Sequence, residues 1–199
     1  HVLSVGFPLD PQSGPYLCTQ GEGGQLTHFF SGNLHAIDFR CPVGTPLLAV
    51  SDGVIVEATA DNTLTGVAVS NLFRWNSIIL KVTPQSITIG KDDDDDDDDD
   101  DDETEDPLFI EYVHIASCSV KVGDYVTEGQ VIGTSGSVGF SPEPHLHFCA
   151  YRSQSPTAPT VRVMFRSSTN SPDSKITFLP AAGNYYNDQG QMTLPGTIR

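Results

Sequence analysis

Two histidines one residue apart, His145 and His147 in the stretch PHLHF, are the first pointer to chemistry in this chain. In a strand, alternate side chains share a face, so both rings would point to one side. Two imidazoles on one face suit a metal ion or a proton relay. The competing reading is a solvated strand face with two incidental histidines. His1, His28, His35 and His114 complete a set of six. A catalytic zinc needs about three protein ligands and an open position for water, and nitrogen and carboxylate oxygen are suitable donors. Zinc lowers the pKa of that water and polarises a carbonyl. A further base or hydrogen-bond donor then handles the proton and the developing oxyanion. Asp38 offers the carboxylate. It stands between Ile37 and Phe39 in an apolar run, and a buried carboxylate needs a partner. Its alternative is a strand aspartate facing solvent. Neither an HExxH helix motif nor a phosphate-binding loop is present.

The elements that must position these residues read as short strands. LHAIDF (34–39) is one. Residues 45–50 and 54–58 are two more, joined by Asp52-Gly53, a strong hairpin signal between apolar runs. NSIILKV (76–82), LFIEYVHI (108–115) and PHLHFCAY (144–151) follow the same pattern, and VKVGDYVTEGQVIGTSG holds two shorter pieces. Residues 1–27 are rich in turn residues and read as an irregular segment packed on the domain. Residues 151–199 are Ser/Thr/Pro-rich, with strand-like pieces in TVRVMF and KITFL, and read as a C-terminal extension. No helix of three turns or more is convincing. The expected fold is mostly β, an antiparallel β-sandwich or barrel of short strands.

The chain has 199 residues, 38% of them hydrophobic, with 18 Gly and 14 Pro, which fits one domain with extensions. Its net charge is −16, but residues 92–102 are all Asp and carry eleven of those charges. Such a run repels itself, so 91–106 is expected as a disordered, solvated loop expanding a hairpin. Insertion there costs little, because loop-closure entropy grows slowly with length. A flexible Asp tract lacks the fixed oxygen cage of a calcium site. The remainder is mildly acidic, which argues against a nucleic-acid partner. No apolar stretch of about 20 residues exists to span a membrane. The chain begins at His1 rather than Met, which reads as a processed or trimmed end with any signal peptide already removed. Cys18, Cys41, Cys118 and Cys149 form no CxxC pair, which disfavours a zinc ribbon. They allow three full pairings, and the reading is an exported protein with one or two disulfides, four buried thiols being the alternative. Cys149 shares the strand parity of His147 but sits about 6–7 Å farther along, so it reads as a core or disulfide cysteine rather than a ligand.

The order of motifs carries a resemblance. THFFSGNLHAIDFRCPVGTPLLAVSDGVIV, YVHI, VKVGDYVTEGQVIGTSGSVGFS and PHLHF resemble the lysostaphin-type zinc metallopeptidases, peptidoglycan endopeptidases built on the duplicated hybrid motif. The likeness spans about 28–150 and implies a metallopeptidase domain there. It implies Asp38 and His147 as zinc ligands, with His114 and His145 as unligated active-site histidines that orient or deprotonate the water and stabilise the tetrahedral intermediate. The upstream ligand is less direct. Many members carry a histidine four residues before the aspartate, where this chain has Leu34. His35 is three before Asp38, and strand positions three apart face opposite sides. A branch of the family places that ligand farther upstream, and THFFSGNLHAIDF fits it with His28. His28 is therefore the favoured ligand and His35 the alternative. The resemblance implies a secreted, monomeric zinc endopeptidase acting on stem or cross-bridge peptides of bacterial cell-wall peptidoglycan. A non-catalytic scaffold of the same fold, or a wall- or peptide-binding module with structural zinc, is the rival.

Overall fold

The structure, a computed structural model, describes residues 3–83, 88–89, 107–155, 157–168 and 176–194. Sixteen short strands form among the described residues: β1 (Leu3–Val5), β2 (Tyr16–Gln20), β3 (Ile37–Arg40), β4 (Pro46–Leu48), β5 (Gly53–Thr59), β6 (Ser77–Val82), β7 (Thr88–Ile89), β8 (Phe109–Val113), β9 (Ser117–Cys118), β10 (Tyr125–Val126), β11 (Val131–Thr134), β12 (His145–Tyr151), β13 (Met164–Arg166), β14 (Thr177–Phe178), β15 (Tyr185–Asn187) and β16 (Gly190–Met192). The helices among those residues are two 3-10 turns. The main sheet has nine strands in the order β10-β5-β6-β8-β12-β3-β2-β15-β16. A four-stranded sheet, β14-β13-β1-β7, and a three-stranded sheet, β4-β11-β9, accompany it. Neighbours run antiparallel except β1 and β13, which are parallel. The main sheet stays open between β10 and β16, so the barrel half of the expectation does not hold.

Strict alternation gives the main sheet two unlike faces. On one, Ile37 and Phe39 of β3, Leu146 and Phe148 of β12, and Ile110 and Tyr112 of β8 are fully buried. The second layer covers this face. Phe165 of β13 lies 5.3 Å from Phe148 and 6.0 Å from Phe39, and Phe7 lies 5.3 Å from Phe39. Tyr112 pins the three-stranded sheet to this core: its hydroxyl accepts the Val50 N–H and donates to the Leu48 carbonyl, both at 3.0 Å. The opposite face carries Asp38, His145, His147, Cys149 and Glu111. The apolar packing thus fixes the register that aligns the polar residues, and a slip of one residue would exchange the two faces.

Three further expectations change. Residues 45–50 and 54–58 do not form a hairpin: β4 pairs with β11, while β5 pairs with β6 and β10. Asp52 instead works between sheets, its Oδ1 accepting from Glu128 N–H and its carbonyl from Thr83 N–H. Gly53 lies opposite Val82, where a Cβ would sit 2.3 Å from the Lys81 carbonyl oxygen, so the glycine permits close approach rather than a turn apex. Residues 1–27 are not merely irregular, since β1 and β2 join the two larger sheets; runs of three to five residues between turns leave little periodic signal. All four cysteines are free thiols. Cys18 and Cys41 pack in the apolar core as small hydrophobes, and burial pushes their thiol pKa values up to about 12 and about 11. As expected, β6 and β8 pair across the insertion, while the Asp run itself lies outside the described residues.

Candidate metal and catalytic site

Three elements converge on one point. β12 supplies His145 and His147. β3, antiparallel to it, sets Asp38 directly opposite His147. The third element is loop 21–35, where one tight turn closes with the His28 N–H donating to the Gly24 carbonyl at 3.0 Å. His28 is wholly buried. Its Nδ1 lies 3.0 Å from the Gly21 carbonyl, which can only accept, so Nδ1 carries the proton and the Nε2 lone pair faces the cluster. That Nε2 is 3.3 Å from Asp38 Oδ2 and 3.3 Å from His147 Nδ1, while His147 Nδ1 is 2.8 Å from Asp38 Oδ1. One ligand atom from each of His28, Asp38 and His147 lies within 4.8 Å of the others.

Electrostatics at the cluster favour a cation. Burial alone would raise the Asp38 pKa, but the hydrogen bond and charge of His147, and the hydrogen bond of His28, outweigh it and hold the carboxyl well below its usual range. Burial opposes charge on His147 too, and the Asp38 carboxylate overcomes it, so that pKa is raised. Two imidazoles and one ionised carboxylate are a donor set that zinc accepts. The carbonyl behind His28 is the kind of outer bond that fixes a ligating imidazole. The residues present therefore fit a metal ion.

His35 goes elsewhere. Its Nδ1 lies 2.9 Å from Glu22 Oε1, and its backbone N–H donates to Thr160 Oγ1. Of the two upstream histidines, the fold brings His28, not His35, to Asp38 and His147. His1 lies outside the described residues.

His114 and His145 face each other beside the cluster, with ring centroids 4.6 Å apart. Val113 pairs with His147 and shares its face, so alternation would turn His114 away. It adopts φ 65° instead, a left-handed conformation that costs a non-glycine residue about 1–2 kcal/mol and swings the ring back into the site. His114 Nδ1–H donates to the Val138 carbonyl at 2.6 Å, and His145 Nδ1–H to the Glu143 carbonyl at 2.8 Å. Each ring thereby presents a bare Nε2. His145 Nε2 is 3.8 Å from Asp38 Oδ1. Burial, then the neighbouring His145 and His147, depress the His114 pKa to about 3, so it is neutral near pH 7.

Two residues at the site left no mark in the sequence reading. Gln20, at the end of β2, accepts from the N–H groups of Leu26 and Thr27 through Oε1 and donates from Nε2 to Asp38 Oδ2 and Thr27 Oγ1. It ties the His28 loop to the carboxylate. Gly24 makes room for it, since a Cβ there would lie 2.2 Å from Gln20 Cγ. Glu111 extends the polar face beyond His147, next to Cys149 across the β8–β12 pair. Burial raises its carboxyl to about pKa 7, and it accepts from the Tyr151 hydroxyl and the Cys149 thiol. Strand parity sets Glu111 on the face opposite Ile110 and Tyr112, but only the pairing of β8 with β12 makes that the face of His147, and nothing local marks Gln20.

The family described as Peptidase family M23 matches residues 103–159. The glycyl-glycine endopeptidase ALE-1 of Staphylococcus capitis is 34% identical over 152 residues, covering 76% of this chain and 30% of that protein. The peptidoglycan DD-endopeptidase ShyC of Vibrio cholerae is 29% identical over 111 residues, covering 56% of this chain and 18% of that protein. This chain therefore spans less than a third of either relative. Among solved structures, the catalytic domain of the antimicrobial peptidase lysostaphin from Staphylococcus simulans is 30% identical, covering 76% of this chain and 94% of that domain, with a TM-score of 0.46. On the sequence matches, the chain belongs to peptidase family M23.

Proposed function

We propose that this chain is a secreted, monomeric zinc endopeptidase that hydrolyses peptide bonds in bacterial cell-wall peptidoglycan, with residues 28–150 as its peptidase domain. One observation carries the reading: His28 Nε2, the Asp38 carboxylate and His147 Nδ1 converge beside two histidines whose Nε2 atoms are bare. His28, Asp38 and His147 would hold the metal. Bound there, zinc supplies Lewis acidity towards the scissile carbonyl and lowers the pKa of the attacking water. His145 would take the water's proton at Nε2, its Nδ1–H being committed to the Glu143 carbonyl, while His114, which burial keeps from holding a proton, would orient that water by accepting from it at Nε2. The resulting His145 imidazolium donates from its Nε2, first to the carbonyl oxygen as charge builds on it and then to the departing amine. The backbone carbonyls of Val138 and Glu143 hold both rings in the required tautomer.

Family membership and the names of ALE-1 and ShyC support peptidoglycan peptides as the substrate class. Those two names differ in the bond cleaved, so the test uses both wall types. Zinc-loaded protein is incubated with purified glycine-bridged walls and with directly cross-linked walls, and new amino termini are identified by mass spectrometry. The expected result is release from at least one wall type, abolished by a chelator and restored by zinc. Zinc-loaded protein that releases nothing from either would make this a binding module, and protein that takes up no zinc would make it a scaffold.

A further inference from the structure

Apolar burial does not hold the loop that carries His28. Leu26, Phe29 and Phe30 are 71%, 65% and 49% exposed. A loop with so few buried contacts opens at low free-energy cost unless polar ties fix it. Gln20 provides the inner ties. The outer ones come from far along the chain. Thr160 N–H donates to the Ser31 carbonyl at 2.9 Å, and Thr160 Oγ1 donates to the same carbonyl at 3.1 Å while accepting the His35 N–H at 3.0 Å. Thr160 is 4% exposed, so these bonds are shielded from water. It is itself seated on β12, bridged to Tyr151, with the next residue's N–H donating to the Ala150 carbonyl at 2.8 Å. One residue therefore joins the loop bearing His28 to the strand bearing His147. A second tie, the two-bond pair of Arg162 with Glu22, grips the start of the loop, but both the position and the exposure of Arg162 make it the weaker one.

We propose that Thr160 is a positioning residue for the metal centre, a clamp from the C-terminal extension that holds His28 Nε2 in register with Asp38 and His147. The clamp rests on the ligand set proposed above. Its hydroxyl is the essential part, since it alone reaches both Ser31 and His35. Thr160→Val removes the hydroxyl at constant shape, and Thr160→Ser keeps it.

The test measures zinc affinity by competition with a chromophoric chelator, the melting temperature of metal-free protein, and amide exchange through loop 21–35 in metal-free protein. Thr160→Val should bind zinc about tenfold more weakly, the lower end of what outer-shell partners contribute. Exchange should quicken in 21–35 and stay unchanged in β8 and β12, and Thr160→Ser should restore wild-type values. Wild-type affinity and exchange in Thr160→Val would overturn the proposal, as would exchange rising uniformly with a matching loss of melting temperature. If wild-type protein binds no zinc, the ligand reading fails by itself, and the exchange comparison still decides the clamp. Should Thr160→Val not fold, Thr160→Ala also removes the hydroxyl and makes the same test, and wild-type zinc affinity with wild-type exchange in 21–35 would overturn the proposal.

Discussion

Replacing Gln20 with methionine removes four hydrogen bonds at nearly constant side-chain length. The wild-type amide accepts from Leu26 and Thr27 and donates to Asp38 and Thr27. The bond to the ionised Asp38 carboxylate is the strongest, worth about 1.5–3 kcal/mol, against about 1 kcal/mol for a neutral one. Water can rescue part of the loop amides, because Leu26 lies exposed. The net loss in metal-free protein is then roughly 2–4 kcal/mol. Asp38 would also lose the donor that holds Oδ2 in place, so zinc affinity should fall about 10- to 100-fold. A urea titration of metal-free protein reads the first quantity, and chelator competition reads the second. An unfolding midpoint that drops while zinc affinity stays within about twofold of wild type would refute a role for Gln20 at the carboxylate. No change in either would mean that water replaces all four bonds.

His114→Gln should slow wall-peptide hydrolysis by about 10²- to 10⁴-fold while zinc content stays at the wild-type level, checked by rate and metal analysis of one preparation. Zinc lost with activity would make His114 a ligand rather than a group that orients the water. The Glu111 carboxyl, lifted by burial from 4.5 to about 7, makes stability fall as pH rises. Its protonated form suits the fold, so its contribution is full below pH 4.5 and is lost as pH climbs through about 7; the size is about 3 kcal/mol. Glu111→Gln imitates the neutral acid, so urea titrations of metal-free variant and wild type should converge near pH 4 and separate above pH 7, with the variant the more stable. Parallel pH curves would rule out the buried acid.

What the sequence disclosed was mostly periodic. Alternation in AIDF and HLHF separates Ile37 and Phe39 from Asp38, and Leu146 and Phe148 from the two histidines, and the structure keeps that division. The parity argument against His35 assumed a strand over 34–39, but β3 begins at Ile37 and His35 sits in the turn before it, so its place against Glu22 comes from the loop and not from that period. Features that depend on distant partners were not legible. The Asp52-Gly53 dipeptide looks like a hairpin because nothing local reveals that β4 has left for another sheet. His114 reaches the site only by breaking alternation with φ 65°, a choice settled by its bond to Val138. Gln20 and Thr160 act through partners brought near by pairing of β2 with β3 and of Thr160 with Tyr151. Cysteine pairing is equally non-local: all four thiols stay free, three of them buried and Cys118 half-buried, so the disulfide expectation fails.

The most direct test of the account is the zinc content of wild-type, His28→Ala and His35→Ala proteins, each loaded and dialysed together and measured by elemental analysis. About one zinc per chain in wild type and His35→Ala, and none retained in His28→Ala, is the predicted result. Zinc retained in His28→Ala but lost in His35→Ala would contradict it.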